Sequence, residues 1–348
     1  MKTELLSIPG YEKVIKAELL PNIFSIIAIH TLNLGPALGG VRLYPYPSME
    51  DALTDVLRLS EGMSYKAALA NLPLGGGKAV IMGDPELIKS KALFEAFGEF
   101  IESLGGQYIT AKDVGIEIPD LDTIATKSSH VVGTSRKGSG GDPSPITAYG
   151  VYKGIKAAAK FKFNNDSLTG KRVIIQGMGH VGYSVAKYLL QEDAKVFATD
   201  LHQDKLAKIA TELGLTALKA DEWQSTPADI FCPCAMGAII NKQTIPALKA
   251  NGIKIIAGGA NNQLLDAFKD GQRLRDAGIT YAPDYVINAG GLISVYAEIG
   301  RDYDLNFAMS KTEHIYDVLL EIFARADKED RPTAIISREL AREKIGLQ

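Results

Sequence analysis

Val173-Ile174-Ile175-Gln176-Gly177-Met178-Gly179-His180-Val181-Gly182 is the stretch on which the fold turns. Three β-branched residues in a row read as a buried strand. Val185, Ala186, Tyr188 and Leu189 follow at helical spacing. The pattern G-x-G-x-x-G therefore lies between a strand and a helix, which is the context a dinucleotide site needs. The first glycine permits the tight turn, the second lets the backbone approach a pyrophosphate, and the third lets helix and strand pack closely. A pyrophosphate then sits at the helix N-terminus, where free N–H groups and the helix dipole favour an anion. Phe197-Ala198-Thr199-Asp200 reads as the next strand, with Asp200 at its end. A carboxylate there binds ribose hydroxyls and repels a 2′-phosphate, which favours NAD over NADP. A merely structural glycine turn is the bland alternative, and Asp200 speaks against it.

Working outward, strands are expected at Arg172–Gln176, Lys195–Thr199, Asp229–Cys232, Lys254–Ala257 and Thr280–Ala282, with helical patterns between most of them. Such alternation argues for a parallel sheet covered on both faces. Cys234 and Ala235, just past the third of these strands, are counted with the dinucleotide contacts. Upstream, Gly133 to Pro145 is rich in Gly, Ser and Pro and is the best hinge between two domains. Before it, strands are expected at Ile23–Ile29, Ala79–Met82 and Gln107–Ala111. Ser48-Met49-Glu50-Asp51 resembles a capping box that opens a helix with the stripe Ala52, Leu53, Val56, Leu57 and Leu59. Leu93, Phe94, Phe97, Phe100 and Ile101 recur at helical spacing, and the tail from about Asp304 is helical with Ile315, Val318, Leu319 and Phe323 inward.

The chain has 348 residues, a length that suggests about two domains. Hydrophobic residues make up 46%, enough apolar surface to rule out disorder as its main character. Lys+Arg number 38 against Asp+Glu 41, so no basic excess exists to neutralise a nucleic-acid backbone. Cys232 and Cys234 are too few and too close for a disulfide framework or a zinc site, and read as small buried hydrophobes on one strand; no metal is expected. MKTELLSIPG lacks a signal-peptide core, and no apolar run approaches a membrane span, so a cytoplasmic protein without membrane partners is expected.

A nucleotide domain does not name a reaction. The first half must, and Gly75-Gly76-Gly77-Lys78 is its most telling stretch. It is not a phosphate loop, because Leu72 and Ala79 stand where that motif needs Gly and Ser or Thr. A lysine entering a buried strand beside residues without side chains is poorly solvated, and its amine is driven toward the neutral form. If Lys66 sits close, repulsion between the two cations lowers one further. A lysine so tuned acts as a general base, with Asp113 at a strand end as matching proton carrier. Ordinary surface lysines are the bland reading, against which the three glycines weigh. His180 reads as a solvent-facing turn residue, His30 as structural, and Tyr44 and Tyr46 as loop packing or a subunit contact.

Gly35-Pro36-Ala37-Leu38-Gly39-Gly40-Val41-Arg42, Met63-Ser64-Tyr65-Lys66, the Lys78 block and Lys112-Asp113-Val114-Gly115 resemble the amino-acid dehydrogenase superfamily. So do Gly141-Asp142-Pro143-Ser144-Pro145-Ile146-Thr147-Ala148-Tyr149-Gly150, Ala260-Asn261-Asn262-Gln263 and Tyr281 through Gly291. The blocks stand in the family order, and the likeness is greatest to the leucine dehydrogenase branch. The resemblance implies an α/β fold of two domains separated by a cleft. Residues 1–140 would form the substrate-binding and oligomerisation domain, with helices from about 326–348 returning to it. Residues 141–325 would form a doubly wound, Rossmann-type NAD domain. It implies a homo-oligomer and the reversible oxidative deamination of an L-amino acid to a 2-oxo acid, ammonium and NADH, with cleft closure excluding water.

By the same resemblance Lys66 binds the substrate carboxylate, with Gly39, Gly40 and Asn261 or Asn262 nearby. Lys78 activates the attacking water, Asp113 exchanges protons, and Thr147 and Asn288 lie near the nicotinamide or the substrate. Leu38, Met63, Ala111, Leu292 and Val295 would line the side-chain pocket. Glutamate dehydrogenases carry a lysine where Leu38 stands, so a second carboxylate is disfavoured and leucine or another branched-chain residue is the expected substrate. The leucine enzymes usually have Val, Asn and Ala-Asp where this chain has Leu292, Ser294 and Tyr296-Ala297, which keeps phenylalanine or tryptophan as the alternative. A shikimate- or quinate-type dehydrogenase and a catalytically silent NAD-binding regulator are the rival readings. The three-glycine lysine block and the Asn-Ala-Gly-Gly segment oppose the first, and the presence of Lys66, Lys78 and Asp113 opposes the second.

Overall fold

The computed structural model describes residues 1–235 and 237–347. The chain divides into two compact units. One comprises Met1–Asp142, Val295–Leu305 and Ala341–Gln348, the other Pro143–Ser294 and Asn306–Leu340.

The first unit is built on a six-stranded sheet. Its strands are β1 (Lys2–Leu6), β2 (Lys13–Leu20), β3 (Ile23–Thr31), β4 (Ala37–Tyr44), β5 (Gly75–Met82) and β6 (Tyr108–Lys112), in the order β1-β2-β3-β5-β4-β6. The β1, β2, β3 and β5 neighbours pair antiparallel, whereas β4 pairs parallel with both β5 and β6. Its helices are α1 (Met49–Leu69), the short α2 (Pro85–Ile88), α3 (Lys91–Glu102) and α4 (Ile118–Ala125).

Successive side chains on a strand point to opposite faces. Ile27 and Ile29 of β3, Val41 and Leu43 of β4 and Ala79 and Ile81 of β5 enter one core with the α3 residues Leu93, Phe94, Phe97, Phe100 and Ile101. Ile26, Ala28 and Val80 enter the other, with Ala52 and Val56 of α1. The polar residues that share this second parity, Arg42 and Lys78, are thereby carried toward α1. The α1 N-terminus is capped as its sequence suggests, with the Ser48 hydroxyl accepting from the Asp51 N–H.

Four strands of this sheet differ from the sequence reading. β1, β2 and β4 were not expected at all, and β5 begins at Gly75 rather than Ala79. Glycine has poor strand propensity, so β4 and the start of β5 hold their conformation through neighbours. At Gly76 the reason for glycine is steric: an added Cβ would lie 2.1 Å from the Ser64 nitrogen and 2.6 Å from the Ser60 oxygen of α1.

The second unit carries β7 (Arg172–Gln176), β8 (Lys195–Thr199), β9 (Thr216–Leu218), β10 (Ile230–Pro233), β11 (Ile255–Ile256) and β12 (Thr280–Tyr281). Its order is β12-β11-β10-β7-β8-β9. Every pair is parallel, as the alternating pattern implies. The helices are α5 (Ser144–Phe163), α6 (His180–Gln191), α7 (Gln203–Leu213), α8 (Thr244–Ala250), α9 (Lys269–Asp276), α10 (Asp284–Ile287), α11 (Gly290–Tyr296), α12 (Leu305–Lys328) and α13 (Thr333–Ile345). Consecutive strands β7 and β8 lie to one side and β10 on the other, so the strand order reverses at β7. Ligands of such sheets bind at the carboxyl ends of the strands around this reversal.

Residues 326–340, expected with the first domain, group with the second unit, and only Ala341 onward joins the first. The apolar stripe explains this. Ile315, Val318, Leu319, Ile322, Phe323 and Ala326 of α12 are all buried in one continuous helix, and Arg331 then ion-pairs with Glu339 across the turn into α13. The chain also enters the first unit at Val295–Leu305, a crossing that the sequence reading did not foresee. No helix among the described residues is long and apolar enough to cross a membrane.

The Gly76 contact can be tested directly. Gly76→Ala forces α1 off β5 and should cost about 1–3 kcal/mol or more. Gly62→Ala, in α1 with nothing within 4 Å of the added carbon, should instead stabilise by about 0.5–1 kcal/mol. Urea unfolding at fixed protein concentration reads both, and equal midpoints would contradict the packing described.

Candidate active site

Three backbone features bring the polar side chains of the first unit together. β5 delivers Lys78, β4 delivers Arg42, and the end of β6 delivers Asp113. Gly40 of β4 lets them meet, because a Cβ there would lie 2.9 Å from the Asp113 Cβ and 2.7 Å from the Lys112 oxygen. Lys78 Nζ lies 2.9 Å from Asp113 Oδ2. The same carboxylate oxygen accepts from Arg42 Nε at 3.0 Å. Arg42 Nη1 donates in turn to Asp55 Oδ2 of α1 at 2.8 Å, and the Tyr46 hydroxyl donates to that oxygen at 2.7 Å.

Burial drives the Lys78 amine below the ordinary lysine range, although Asp113 pulls the other way and Arg42 adds to the depression. Burial also works against ionisation of Asp113, but Lys78 and Arg42 outweigh it and hold the carboxyl below its usual range. The Lys78 side chain is 8% exposed and that of Asp113 22%, so the amine is the more desolvated partner of the pair.

Arg42 is a cation acting on Lys78 that the sequence reading, which considered Lys66, did not name. Lys66 lies in the last turn of α1, on the same helix as Met63 and Asp55. Arg42 was readable in outline, since it ends the Gly39-Gly40-Val41-Arg42 string. Its bond to a residue 71 positions away required the β4–β6 pairing.

Several other expected residues surround this group. Leu38 is buried on β4 opposite Gly76 and Ile109, and Ala111 pairs with Gly40. The Met63 side chain lies 3.4 Å from where a Gly39 Cβ would stand. The Tyr108 hydroxyl donates to the Gly39 carbonyl at 2.6 Å and fixes the strand beneath. His30 is structural in geometry: its Nδ1 is 2.8 Å from the Ser64 hydroxyl, and Tyr11 and Tyr65 meet it edge-on. Tyr46, expected as loop packing or a subunit contact, donates its hydroxyl to Asp55 in the charged group, with Tyr44 edge-on against it.

In the second unit, Gly177 ends β7 at φ +99°, in the left-handed region that suits glycine, and an added Cβ would lie 2.4 Å from that of Ala235. Gly182 packs on the Gly177 carbonyl, where an added Cβ would come to 2.0 Å. Gly179 precedes α6 and has open space at its Cβ position. Asp200 Oδ2 accepts from the Met178 N–H at 2.7 Å, and Oδ1 accepts from the His202 N–H at 2.9 Å. Burial opposes its ionisation, but these two donors keep the carboxyl below its usual range. A hollow of about 130 Å³ lies here, lined by Gln176, Gly177, Thr199, Asp200, His202 and Ala235 among others.

Asn288 Nδ2 donates to Asn261 Oδ1 at 2.7 Å and to the Gly259 carbonyl at 3.2 Å. Its own Oδ1 is buried without a hydrogen-bond partner, as is Gln176 Oε1. The Thr147 hydroxyl donates to the Pro143 carbonyl and adjoins Gly291. Val181 adjoins Gly259, which also approaches Cys234. Cys234 Sγ lies 3.6 Å from Cys232 Sγ, and both thiols are free. His180 and Asn262 are exposed, and α11 carries Leu292, buried, and Val295, half-buried. A roomier cavity of about 410 Å³ near α9 and α12 holds charges that are paired internally, Arg275 with Asp330 and Lys162 with the Gly278 carbonyl.

The first unit thus holds a desolvated amine on a carboxylate, and the second an open helix N-terminus beside a strand-end acid. Comparison with known proteins gives that pairing a context. Residues 17–130 match the dimerisation domain of the Glu/Leu/Phe/Val dehydrogenases, and residues 138–216 and 200–328 match the Glutamate/Leucine/Phenylalanine/Valine dehydrogenase domain. A leucine dehydrogenase of Geobacillus stearothermophilus is 50% identical over 322 residues, covering 92% of this chain and 86% of its own. A phenylalanine dehydrogenase of Lysinibacillus sphaericus is 50% identical over 309 residues, covering 87% and 80%. The crystal structure of L-tryptophan dehydrogenase from Nostoc punctiforme superposes with a TM-score of 0.87 at 43% identity, covering 97% of this chain and 96% of that one. Both halves of the molecule therefore lead to one conclusion: the chain belongs to the Glu/Leu/Phe/Val dehydrogenase family and is an oxidoreductase, an amino-acid dehydrogenase of the kind that generally works with NAD(P).

Proposed function

We propose that the protein catalyses the NAD-dependent, reversible oxidative deamination of an apolar L-amino acid, with leucine and its branched-chain neighbours preferred. The observation that carries this reading is the buried Lys78–Asp113 pair at 2.9 Å. An amine lowered by burial is neutral, and so able to take a proton from water, at a lower pH than a solvated lysine.

The residues of the second unit suit a dinucleotide. The N-terminus of α6 offers N–H groups over a glycine with open space, and Asp200 offers a carboxylate to a ribose. Two buried acceptors, Gln176 Oε1 and Asn288 Oδ1, lack a hydrogen-bond donor, and Gln176 lines the hollow beside Asp200. When bound, the nicotinamide supplies a hydride acceptor for the substrate Cα. Gly177, Met178, Gly179, His180, Val181 and Gly182 would hold the pyrophosphate, and Cys234, Ala235, Thr147, Asn261 and Asn288 would meet the rest. Asp200 favours NAD, because a 2′-phosphate would face a carboxylate held ionised.

Lys66, with Gly39, Gly40 and Asn262, would bind the substrate carboxylate. Asp113 accepts a proton from the substrate ammonium and so frees the nitrogen lone pair. Once Cα has lost its hydride, the carbon is an iminium. Lys78 Nζ takes a proton from water as the oxygen bonds to this carbon, and the C=N electron pair returns to nitrogen. Asp113 gives its proton back to nitrogen and, ionised again, takes the hydroxyl proton as the C=O bond forms and the C–N bond breaks; ammonia departs from the 2-oxo acid, and Lys78 and Asp113 pass their protons to ammonia and solvent. Leu38, Met63, Ala111, Leu292 and Val295 would form an apolar side-chain pocket with no cation for a second carboxylate. The phenylalanine and tryptophan relatives, with Leu292 and Ser294 on α11, favour an aromatic side chain as the second reading. The match to a dimerisation domain supports a homo-oligomer, and two free thiols suit the reducing cytoplasm.

Screening the twenty L-amino acids with NAD at alkaline pH should give NADH for a small apolar set led by leucine. An aromatic set would shift the assignment to the second reading, and no turnover with any would reject both. Lys78→Ala should lose about 10²–10⁴-fold in kcat while NAD binding, read by fluorescence titration, stays intact. Wild-type turnover would remove Lys78 from the chemistry. Asp200→Asn should narrow the preference for NAD over NADP by about tenfold, the worth of one repulsive contact. An unchanged ratio of the two kcat/KM values would take Asp200 out of cofactor selection.

A further inference from the structure

Arg42, Asp55 and Tyr46 are absorbed neither by the fold nor by the reaction outlined above. They form an unbroken run of hydrogen bonds into it: Tyr46 hydroxyl to Asp55, Arg42 to Asp55, Arg42 to Asp113, and Lys78 to Asp113. We propose that Arg42, braced by Asp55 and Tyr46, is a positioning residue that fixes the Asp113 carboxylate and sets how readily Lys78 gives up its proton. The proposal rests on the roles read above for Lys78 and Asp113.

The geometry gives the reason. A single oxygen, Asp113 Oδ2, is shared by Lys78 Nζ at 2.9 Å and Arg42 Nε at 3.0 Å. A guanidinium does not deprotonate in a protein, so its charge is permanent while that of Lys78 is conditional. When Lys78 is neutral, Arg42 remains as the charged partner of the carboxylate, beside the backbone N–H of Val114, and the ionised acid is not left without a counter-charge. Without Arg42, Lys78 would be the one cation on Asp113, and the amine would be held in its charged form. Arg42 must itself be held to do this. Asp55 grips Nη1 at 2.8 Å from α1, leaving Nε for Asp113. Tyr46 locks Asp55 from the β4–α1 connection.

The charges around the group come from every neighbouring element. β4 contributes Arg42, the chain beyond it Tyr46, α1 Asp55, Arg58 and Lys66, β3 His30, and β6 and its end Tyr108 and Asp113. Arg58 touches only the far oxygen of Asp55 and is 61% exposed. His30 is engaged with Ser64. Tyr108 stays a phenol, since burial pushes its hydroxyl up. Burial likewise raises Tyr46, with Asp55 adding to it, so Tyr46 stays a donor. The two direct influences on Lys78 besides Asp113 are Arg42, which lowers it, and Asp55, which raises it.

These two residues should therefore act in opposite directions. Removing the Arg42 cation leaves Lys78 facing two carboxylates, and its titration moves up. Removing the Asp55 charge leaves Arg42 uncompensated, and the Lys78 titration moves down. The test is trace acetylation of the whole enzyme with acetic anhydride across pH, with the Lys78 peptide quantified by mass spectrometry. This reads the amine directly, whether or not the enzyme turns over. Arg42→Gln should raise the Lys78 midpoint by about one pH unit and Asp55→Asn should lower it. The acid limb of kcat/KM should move the same way in each variant.

Arg42→Lys keeps a cation and should leave the midpoint near wild type while kcat falls, because one ammonium cannot hold both carboxylates in a fixed fork. A merely structural Arg42 would lower activity or melting temperature without moving either midpoint. If Arg42→Gln does not fold by circular dichroism, Asp55→Asn carries the test, and a midpoint that rises or stays put overturns the proposal. Flat titrations in both variants, with Lys78→Ala inactive, overturn the relay and leave the reaction standing. Turnover by Lys78→Ala instead overturns the reaction, and the titrations still judge the relay.

Discussion

The contact on which the molecule's chemistry depends is an amine kept out of water against one carboxylate oxygen. A lysine on a solvated strand has an ordinary affinity for its proton and is useless as a base near neutrality. Lys78 escapes this because the strand that carries it enters the fold through three glycines and is covered by α1. Burial alone would make the lysine neutral and inert, however. Asp113 restores part of the proton affinity, and the balance of the two leaves a group able to exchange a proton in either direction. That balance suits a reaction that runs reversibly, since each direction needs the opposite proton state of the same nitrogen.

The sheet of the first unit builds this balance from an alternation of two. Ala79 and Ile81 point into the α3 core while Lys78 and Val80 face α1. Arg42 stands between Val41 and Leu43 in the same way. A shift of one residue in the β4–β5 register would exchange both charged side chains for core residues and bury them among phenylalanines. The parallel β4–β5 and β4–β6 pairings therefore do more than hold the sheet together: they select which polar atoms meet. The apolar cluster around Phe97 and Phe100, itself remote from the chemistry, holds that register in place.

How much of this was legible in the sequence depends on how far apart the partners lie along the chain. The start of the dinucleotide half was readable to the residue, with β7 and β8 at the expected bounds, because β7, the glycine turn, α6 and Asp200 form one local unit of fewer than thirty residues; the three-residue edge strand β9 was missed. The lysine after three glycines was readable as unusual, since desolvation follows from its immediate neighbours. The Arg42–Asp113 bond was not, because it joins residues 71 apart through the pairing of β4 with β6. β4 was itself hidden: Ala37–Tyr44 holds two glycines in eight residues and has little intrinsic preference for extended structure. The β1–β2 hairpin was missed for another reason, that its alternation is weak and its first strand almost wholly exposed. The family resemblance supplied roles for Lys66 and Lys78 but none for Arg42, whose place beside Lys78 comes from the pairing of β4 with β5 and β6.

The presence of an arginine beside Lys78 is instructive about charge in buried sites. Two lysines that share a site compete for protons, and the outcome depends on pH and on whatever anion arrives. An arginine beside a lysine does not compete, because only one of the two can titrate. The site thereby separates two tasks that a pair of lysines would mix. One cation keeps the carboxylate permanently satisfied, and the other is free to lose and regain its proton. A third acid, Asp55, then keeps the permanent cation from tipping the balance too far, since an uncompensated guanidinium would depress Lys78 beyond usefulness. Alternating charge along Asp55, Arg42, Asp113 and Lys78 is the arrangement in which each group is stabilised by its neighbours and only the last is able to change.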